Sequence, residues 1–386
     1  MNSPTHSELR DFLLDGSAPL VVKIGSSLLI SEEGEPRRDW MSGLARQLAG
    51  RAGPVIIVSS GAIALGRSAL GIQGRPASLS EAQAAAAVGQ IRLARTWADV
   101  WAEVSADAPT GKHRIAAQLL LTLDDLEDRG RYLNARNTVE TLLDRGVVPV
   151  VNENDTVATG EIRFGDNDRL GARVALLAGA ELLLLLSDVD GLFDADPRRN
   201  PDARLINQVP VIDAGIESLA GNAEATGFGT GGMASKITAA RIATAGGCAV
   251  LLANGNHDMP IQAYCDTGTG TCFHASNRPL ARRKQWLRSL QHSAGSLVLD
   301  DGAVDALARG ASLLAGGIVE VRGQFRRGDL IELRGRGTAL GHGLCGYDAV
   351  ETRQIIGRHS REFESILGYA GRGPVVHRDD LVLFDR

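Results

Sequence analysis

Two lysines placed beside glycines are the first features that could carry chemistry. Val21-Val22-Lys23-Ile24-Gly25-Ser26-Ser27 reads as a buried strand that releases a lysine near its end and turns through glycine into two hydroxyls. Backbone N–H groups in such a turn can cradle phosphate while the lysine supplies charge. The same residues also suit a strand with a snorkelling lysine and an ordinary turn. Gly227-Phe228-Gly229-Thr230-Gly231-Gly232-Met233-Ala234-Ser235-Lys236 is glycine-rich, opens a helix and sets Lys236 about one turn in, the strongest phosphate signal of the chain. It matches Gly-x-Gly-x-x-Gly only through glycine density, since no strand precedes it, and it is no Walker A loop because Lys236 does not follow a glycine.

The polar clusters come next. Asn152-Glu153-Asn154-Asp155 follows an aliphatic run, and Thr156 to Arg163 joins it to Gly165-Asp166-Asn167-Asp168. Strand-end clusters of this kind are where open α/β sheets hold ligands, although a surface turn and a helix cap at Asp166 or Asp168 would look the same. Ser59-Ser60-Gly61-Ala62-Ile63 sets a hydroxyl and amides before a helix N-terminus, a place that suits an anion. Ser187-Asp188-Val189-Asp190-Gly191 leaves a buried strand and could hold a base and ribose, or be an acidic turn. A protein-kinase reading fails, because His377-Arg378-Asp379 has Phe384 where the catalytic-loop Asn would fall and no Asp-Phe-Gly occurs.

These residues need a sheet to position them. Aliphatic runs at Leu20–Ile24, Val55–Ser59, Val147–Asn152, Glu181–Ser187 and Cys248–Ala253 read as buried strands. Segments of helical period fall between them, at Arg38–Arg51, Leu79–Val104, Arg131–Arg145, Asp166–Gly179 and Gly232–Ala245. The alternation predicts an α/β fold with a mostly parallel sheet sandwiched by helices. Past Ala275 the texture changes to a basic, helix-like stretch at Arg282–Leu290, followed by short alternating segments at Ser296–Leu299, Gly317–Val321, Asp329–Leu333 and Leu381–Phe384. This predicts a small β-rich domain, with residues 1–275 forming the first domain and 276–386 the linker and second. Residues 282–386 carry 16 Lys plus Arg against 13 Asp plus Glu, whereas the rest of the chain is net acidic, in keeping with that boundary.

Of the 386 residues, 44% are hydrophobic and 23% charged, with 41 Lys plus Arg against 46 Asp plus Glu, so no global basic field draws the chain to nucleic acid. Leu182 to Leu186, the longest aliphatic run, is far short of the roughly 18 residues of a membrane span. Residues 1–17 show no secretory signal pattern, and the expected location is cytoplasmic. Cys248, Cys265, Cys272 and Cys345 include no Cys-x-x-Cys pair, which argues against a zinc knuckle, and Cys265, Cys272 and His274 make only a weak ligand set.

Taken together and in this order, Val-Val-Lys-x-Gly-Ser, Ser-Ser-Gly-Ala-Ile, Asn-Glu-Asn-Asp, Phe-Gly-Asp-Asn-Asp, Gly-Leu-Phe-x-Ala-Asp-Pro and Gly-Thr-Gly-Gly-Met-x-x-Lys resemble the amino acid kinase family. The match is closest to its members that phosphorylate the side-chain carboxylate of L-glutamate at the start of proline synthesis. It runs from about Leu20 to Asp380, and its last part resembles the PUA domain in Gly316-Gly317-Ile318, Arg327-Gly328-Asp329, Ile356-Gly357-Arg358-His359-Ser360 and Ile366-Leu367-Gly368-Tyr369. Relatives acting on aspartate, acetylglutamate or UMP lack that module. Ser187 stands where many relatives have Thr, and the stretch before Gly229 is one residue longer than usual.

The resemblance implies ATP and Mg²⁺, with Lys23, Lys236 and Asp168 as catalytic residues, the aspartate orienting both lysines. It assigns Ser60, Asn152, Asp155 and Asn167 to glutamate, and Lys23, Gly25, Ser187, Asp188, Thr230, Gly231, Gly232, Met233, Ala234, Ser235 and Lys236 to the nucleotide; no metal ligand is assigned. It also implies inhibition by L-proline, a homotetramer formed through kinase domains, and RNA as a partner of the PUA module. The competing class, a non-enzymatic RNA-binding protein, finds little support, since the C-terminal segment is only weakly basic and aromatics make up 4% of the chain.

Overall fold

A computed structural model of the chain describes residues 4–74, 76, 78–107, 114–157, 166–197, 199–219, 232–276, 293–369 and 373–384. It divides into two compact units, one of residues 1–126 and 136–277, the other of 127–135 and 278–386.

The first unit is built on β1 (Leu20–Ile24), β2 (Val55–Val58), β3 (Ala116–Leu121), β4 (Val148–Glu153), β5 (Leu182–Ser187), β6 (Gln208–Val209), β7 (Ala249–Asn254) and β8 (Thr271–Phe273), in the spatial order β3-β4-β2-β1-β5-β7-β8-β6. All neighbours are parallel except β7 and β8, which run antiparallel. Every residue of β1, β2 and β5 is buried, as a strand covered on both faces requires. Leu20, Val22 and Ile24 of β1 enter one core with Leu44 of the helix Arg38–Ala49 and Leu93 and Trp97 of the helix Leu79–Ala106. Alternation along the strand turns Lys23 to the other face. There the helix Asp166–Leu177 lies across it, and a Cβ on Gly171 would stand only 3.3 Å from the Lys23 Cβ. Gly171 therefore lets that helix rest on the lysine stem.

Five expected strands and five expected helices fall within two residues of the observed ones at each end, Leu20–Ile24 matching without difference. The edge strand β3 escaped the sequence reading because only Leu121 of its six residues is buried, and β6 and β8 are too short to show a pattern. The helix His6–Asp15 was also missed, although Thr5 and Glu8 close a capping box at its start.

The second unit holds β9 (Gly295–Leu299), β10 (Ile318–Gly323), β11 (Leu330–Gly335), β12 (Thr338–Leu344) and β13 (Leu381–Leu383), in the order β10-β9-β11-β12-β13. Four strands match expectation. β12 was not expected, since its Thr-Ala-Leu-Gly-His-Gly-Leu run lacks alternation. The reason is packing: a Cβ on Gly341 would stand 2.1 Å from the Val382 carbonyl of β13. The basic stretch Arg282–Leu290 lies outside the described residues.

Candidate active site

In a parallel sheet all the strand ends of one polarity share one edge, and the sequence order reverses at β1, which has β2 on one side and β5 on the other. Lys23 near the end of β1, Ser59 and Ser60 after β2, Asn152 in β4, Ser187 in β5 and Asn254 in β7 therefore meet along the carboxyl edge.

Lys23 and Asp168 form an ion pair there, and Lys236 Nζ lies 3.6 Å from the other oxygen of the same carboxylate. Lys23 is 5% exposed, Lys236 6% and Asp168 0%, so the three charges are held almost out of water. The Ser235 hydroxyl donates to Asp168 as well. Burial by itself would raise the Asp168 carboxyl, but the Lys23 and Lys236 ammoniums and the hydrogen bonds of Lys23 and Ser235 outweigh it, and the group stays below the ordinary carboxylate range. Burial depresses the Lys236 ammonium and the like charge of Lys23 adds to this, with Asp168 and Asp188 opposing. Two buried ammoniums converge on one carboxylate, and Asp188 acts on Lys236 as well.

Local structure explains why these residues reach each other. Asp168 sits in the first turn of the helix Asp166–Leu177, buried against the lysines rather than serving as a solvent-facing cap. Lys236 is the fourth residue of the helix Met233–Ala245, capped by Gly232. Gly25 caps the short helix Ser26–Leu29 that leaves β1, and its N–H donates to the Leu186 carbonyl at 3.4 Å. Gly61, at φ +105, turns the chain from β2 into the helix Ala62–Leu70, a conformation that glycine adopts without strain.

A second cluster is made of amides and hydroxyls. Asn167 Nδ2 donates to Ser60 Oγ at 2.9 Å and to Asn152 Oδ1 at 3.1 Å. Asp155 lies in the turn just after β4. On the β5 side the Ser187 hydroxyl donates to Asp188 at 3.0 Å, and Asn254 Nδ2 donates to Asp190 at 2.7 Å, tying β5 to β7. Met233, Ala234 and Ser235 form the first turn of their helix and are half-buried. Thr230 and Gly231 lie outside the described residues, as does most of the Thr156–Arg163 segment.

Among the described residues no three His, Cys, Asp or Glu side chains form a metal cage, Cys265, Cys272 and His274 included. The four cysteines are free and buried, and burial pushes the Cys272 thiol up to about 12. No helix of the described residues is long and apolar enough to cross a membrane. Gln90, Trp97 and Asn254 join the edge without having been singled out in the sequence. The only signal for the first two was a glutamine and a tryptophan seven residues apart on one helix face.

The amino acid kinase family model matches residues 18–254, and the PUA domain model residues 295–367. The chain belongs to the amino acid kinase family. A glutamate 5-kinase of Nitrobacter hamburgensis is 52% identical over 370 residues, covering 94% of this chain and 95% of that protein. A glutamate 5-kinase of Paramagnetospirillum magneticum is 50% identical over 370 residues, covering 94% and 97%. Within the family, then, the chain falls among the glutamate 5-kinases.

Proposed function

We propose that the protein transfers the γ-phosphoryl group of ATP to the side-chain carboxylate of L-glutamate, giving L-glutamyl 5-phosphate and ADP, the first step of proline synthesis. The observation that carries this reading is the convergence of two buried ammoniums on one carboxylate at the carboxyl edge. Ammoniums held nearly out of water where strand ends meet interact strongly with an arriving phosphate. An acyl phosphate forms when one carboxylate oxygen attacks Pγ and the bond from Pγ to the β–γ bridging oxygen breaks. The nucleophile is already ionised at neutral pH, so no general base is needed. What remains is to bring an anion against a polyanion in line, which positive charge and positioning accomplish.

Lys23 would stand between the transferred phosphoryl and the attacking carboxylate, Lys236 would hold the phosphates from the other side, and Asp168 would keep both lysines in place. Ser187, Asp188 and the segment from Thr230 to Lys236 would bind the nucleotide, with Gly25 close to its phosphates. Ser60, Asn152, Asp155 and Asn167 would hold glutamate, Asp155 matching its ammonium by charge. Magnesium would enter with ATP and would offset the charge of its phosphates.

The same reading extends to regulation and assembly. L-proline keeps the amine and α-carboxylate of glutamate but has no side-chain carboxylate, so it would occupy the amino acid end of the site without reacting. The protein would act in the cytoplasm, a compartment that suits its four free buried cysteines, and would assemble as a homotetramer through its kinase domains. RNA is a secondary partner for the PUA module. A coupled ADP-release assay with glutamate, aspartate, acetylglutamate and UMP, repeated at several proline concentrations, tests the proposal. Turnover confined to glutamate, with proline raising its KM, is the expected result; no turnover with glutamate would overturn it.

A further inference from the structure

The helix Leu79–Ala106 carries none of the motifs, yet two of its side chains reach the carboxyl edge. Trp97 Nε1 donates to Ser59 Oγ at 3.0 Å, and Gln90 Oε1 accepts from Asn152 Nδ2 at 2.7 Å. Seven residues apart, they lie on one face with Leu93, and Leu93 and Trp97 are fully buried. The backbone beside Gln90 is pinned too, since a Cβ on Gly89 would stand 1.8 Å from the Ala62 carbonyl oxygen. The helices Leu79–Ala106 and Ala62–Leu70 thus meet backbone to backbone, which fixes where Gln90 begins.

From Gln90 a chain of amides runs into the site with one polarity. Because Asn152 gives its N–H to Gln90, its Oδ1 faces Asn167 and accepts there. Asn167 spends both N–H groups, one on Asn152 and one on Ser60. Its Oδ1 is buried and has no hydrogen-bond partner among the described residues. A buried acceptor left open calls for a donor from the ligand. At neutral pH the carboxylates of glutamate only accept, so its single donor group is the α-ammonium.

We propose that Gln90 is a positioning residue: by accepting from Asn152 it fixes the polarity of the Asn152–Asn167 pair, so that the site offers an acceptor and selects an amino acid over its deaminated analogue. This rests on the glutamate kinase reading. Without an acceptor at position 90, Asn152 is free to turn its amide over and present N–H to Asn167. Asn167 then turns as well, and a donor faces the ammonium.

The test is steady-state kinetics of the full-length enzyme and its Gln90→Met and Gln90→Glu variants, with glutamate and with glutarate, which lacks the ammonium. Gln90→Met is expected to raise the KM for glutamate about tenfold, the size of one hydrogen bond to a charged group. The KM for ATP and the melting temperature should stay near wild type. The preference for glutamate over glutarate in kcat/KM should shrink by about the same tenfold factor. Gln90→Glu, which keeps an acceptor in place, should restore most of that preference. An unchanged glutamate-to-glutarate ratio in Gln90→Met, a parallel rise in the KM for ATP, or no recovery in Gln90→Glu would each overturn the assignment. If the wild type fails to phosphorylate glutamate at all, the functional reading falls instead, so the two failures are distinguishable.

Discussion

At the amino edge of the first sheet Arg51 is fully buried, its Nε and Nη1 donating to the Phe12 and Pro54 carbonyls at 3.3 Å each and its guanidinium 4.8 Å from the Phe12 ring centre. Arg114 beside it donates to the Arg51 and Gly53 carbonyls at 2.7 and 3.2 Å. Burial pushes Arg51 down to about 10, with Arg114 adding to the effect and Glu181 opposing it. At the carboxyl edge Lys23 and Lys236 are buried as deeply but converge on one carboxylate. Each edge sets two cations together, although Arg114 is only half-buried. The arginines are held by backbone carbonyls and tie chain segments together, whereas the lysines are compact point charges drawn to one carboxylate. Burial of positive charge alone therefore does not mark a binding site; what separates the two edges is that the guanidiniums are spent on backbone carbonyls, whereas the ammoniums converge on a carboxylate where the strand ends meet.

The largest effect that would break this contrast comes from Asp168→Asn. Removing the shared carboxylate leaves two like charges buried together, which costs about 3–5 kcal/mol of stability and at least about a hundredfold in kcat. Denaturant unfolding and the ADP-release assay would show both. The sign with pH follows from the lowered Asp168 carboxyl: its contribution is complete above the unfolded carboxylate range and is lost as pH falls through the lower folded value. Wild type should lose stability on acidification through that window, and Asp168→Asn should lack that part of the slope. A variant with wild-type stability and turnover would remove Asp168 from the centre of the site.

Lys236→Met comes next and separates charge from structure. It should lower kcat by roughly a hundredfold or more, yet destabilise far less than Asp168→Asn, because Lys23 and Asp168 remain as a one-to-one pair. Lys23→Met should behave alike. Near-wild-type kcat in either would show that the charge of that lysine is not used in the reaction.

The smallest catalytic effect belongs to the opposite edge. Arg51→Met should lower stability by about 2–3 kcal/mol, the range for a buried charge-assisted hydrogen bond and the carbonyls it leaves behind. Its kcat per folded molecule should stay within about twofold of wild type. Lost turnover without lost stability would mean that the amino edge communicates with the site, and the two edges would no longer be distinguishable by their partners.

Much of this was legible in the chain because strands buried on both faces are runs of aliphatic residues: β1 was read residue for residue, and β5 to within one. Lysines and glycines at strand ends and helix starts stood out for the same local reason. Strands that local pattern does not favour stayed hidden, such as β3 on the sheet edge and the glycine-bearing β12.

By itself the sequence determined the strand cores, the helix periods and the residue types needed to receive a phosphoryl group, since each depends on neighbours a few positions apart. Only the tertiary structure decided that Lys23, Asp168 and Lys236, drawn from three distant segments, share one carboxylate. It alone decided, too, that Gln90 of an alanine-rich helix sets the polarity of an amide chain ending at Asn167. The physical reason is that charge balance and hydrogen-bond direction belong to groups brought together by the crossovers of a parallel sheet, and no local pattern in the chain records which groups those will be.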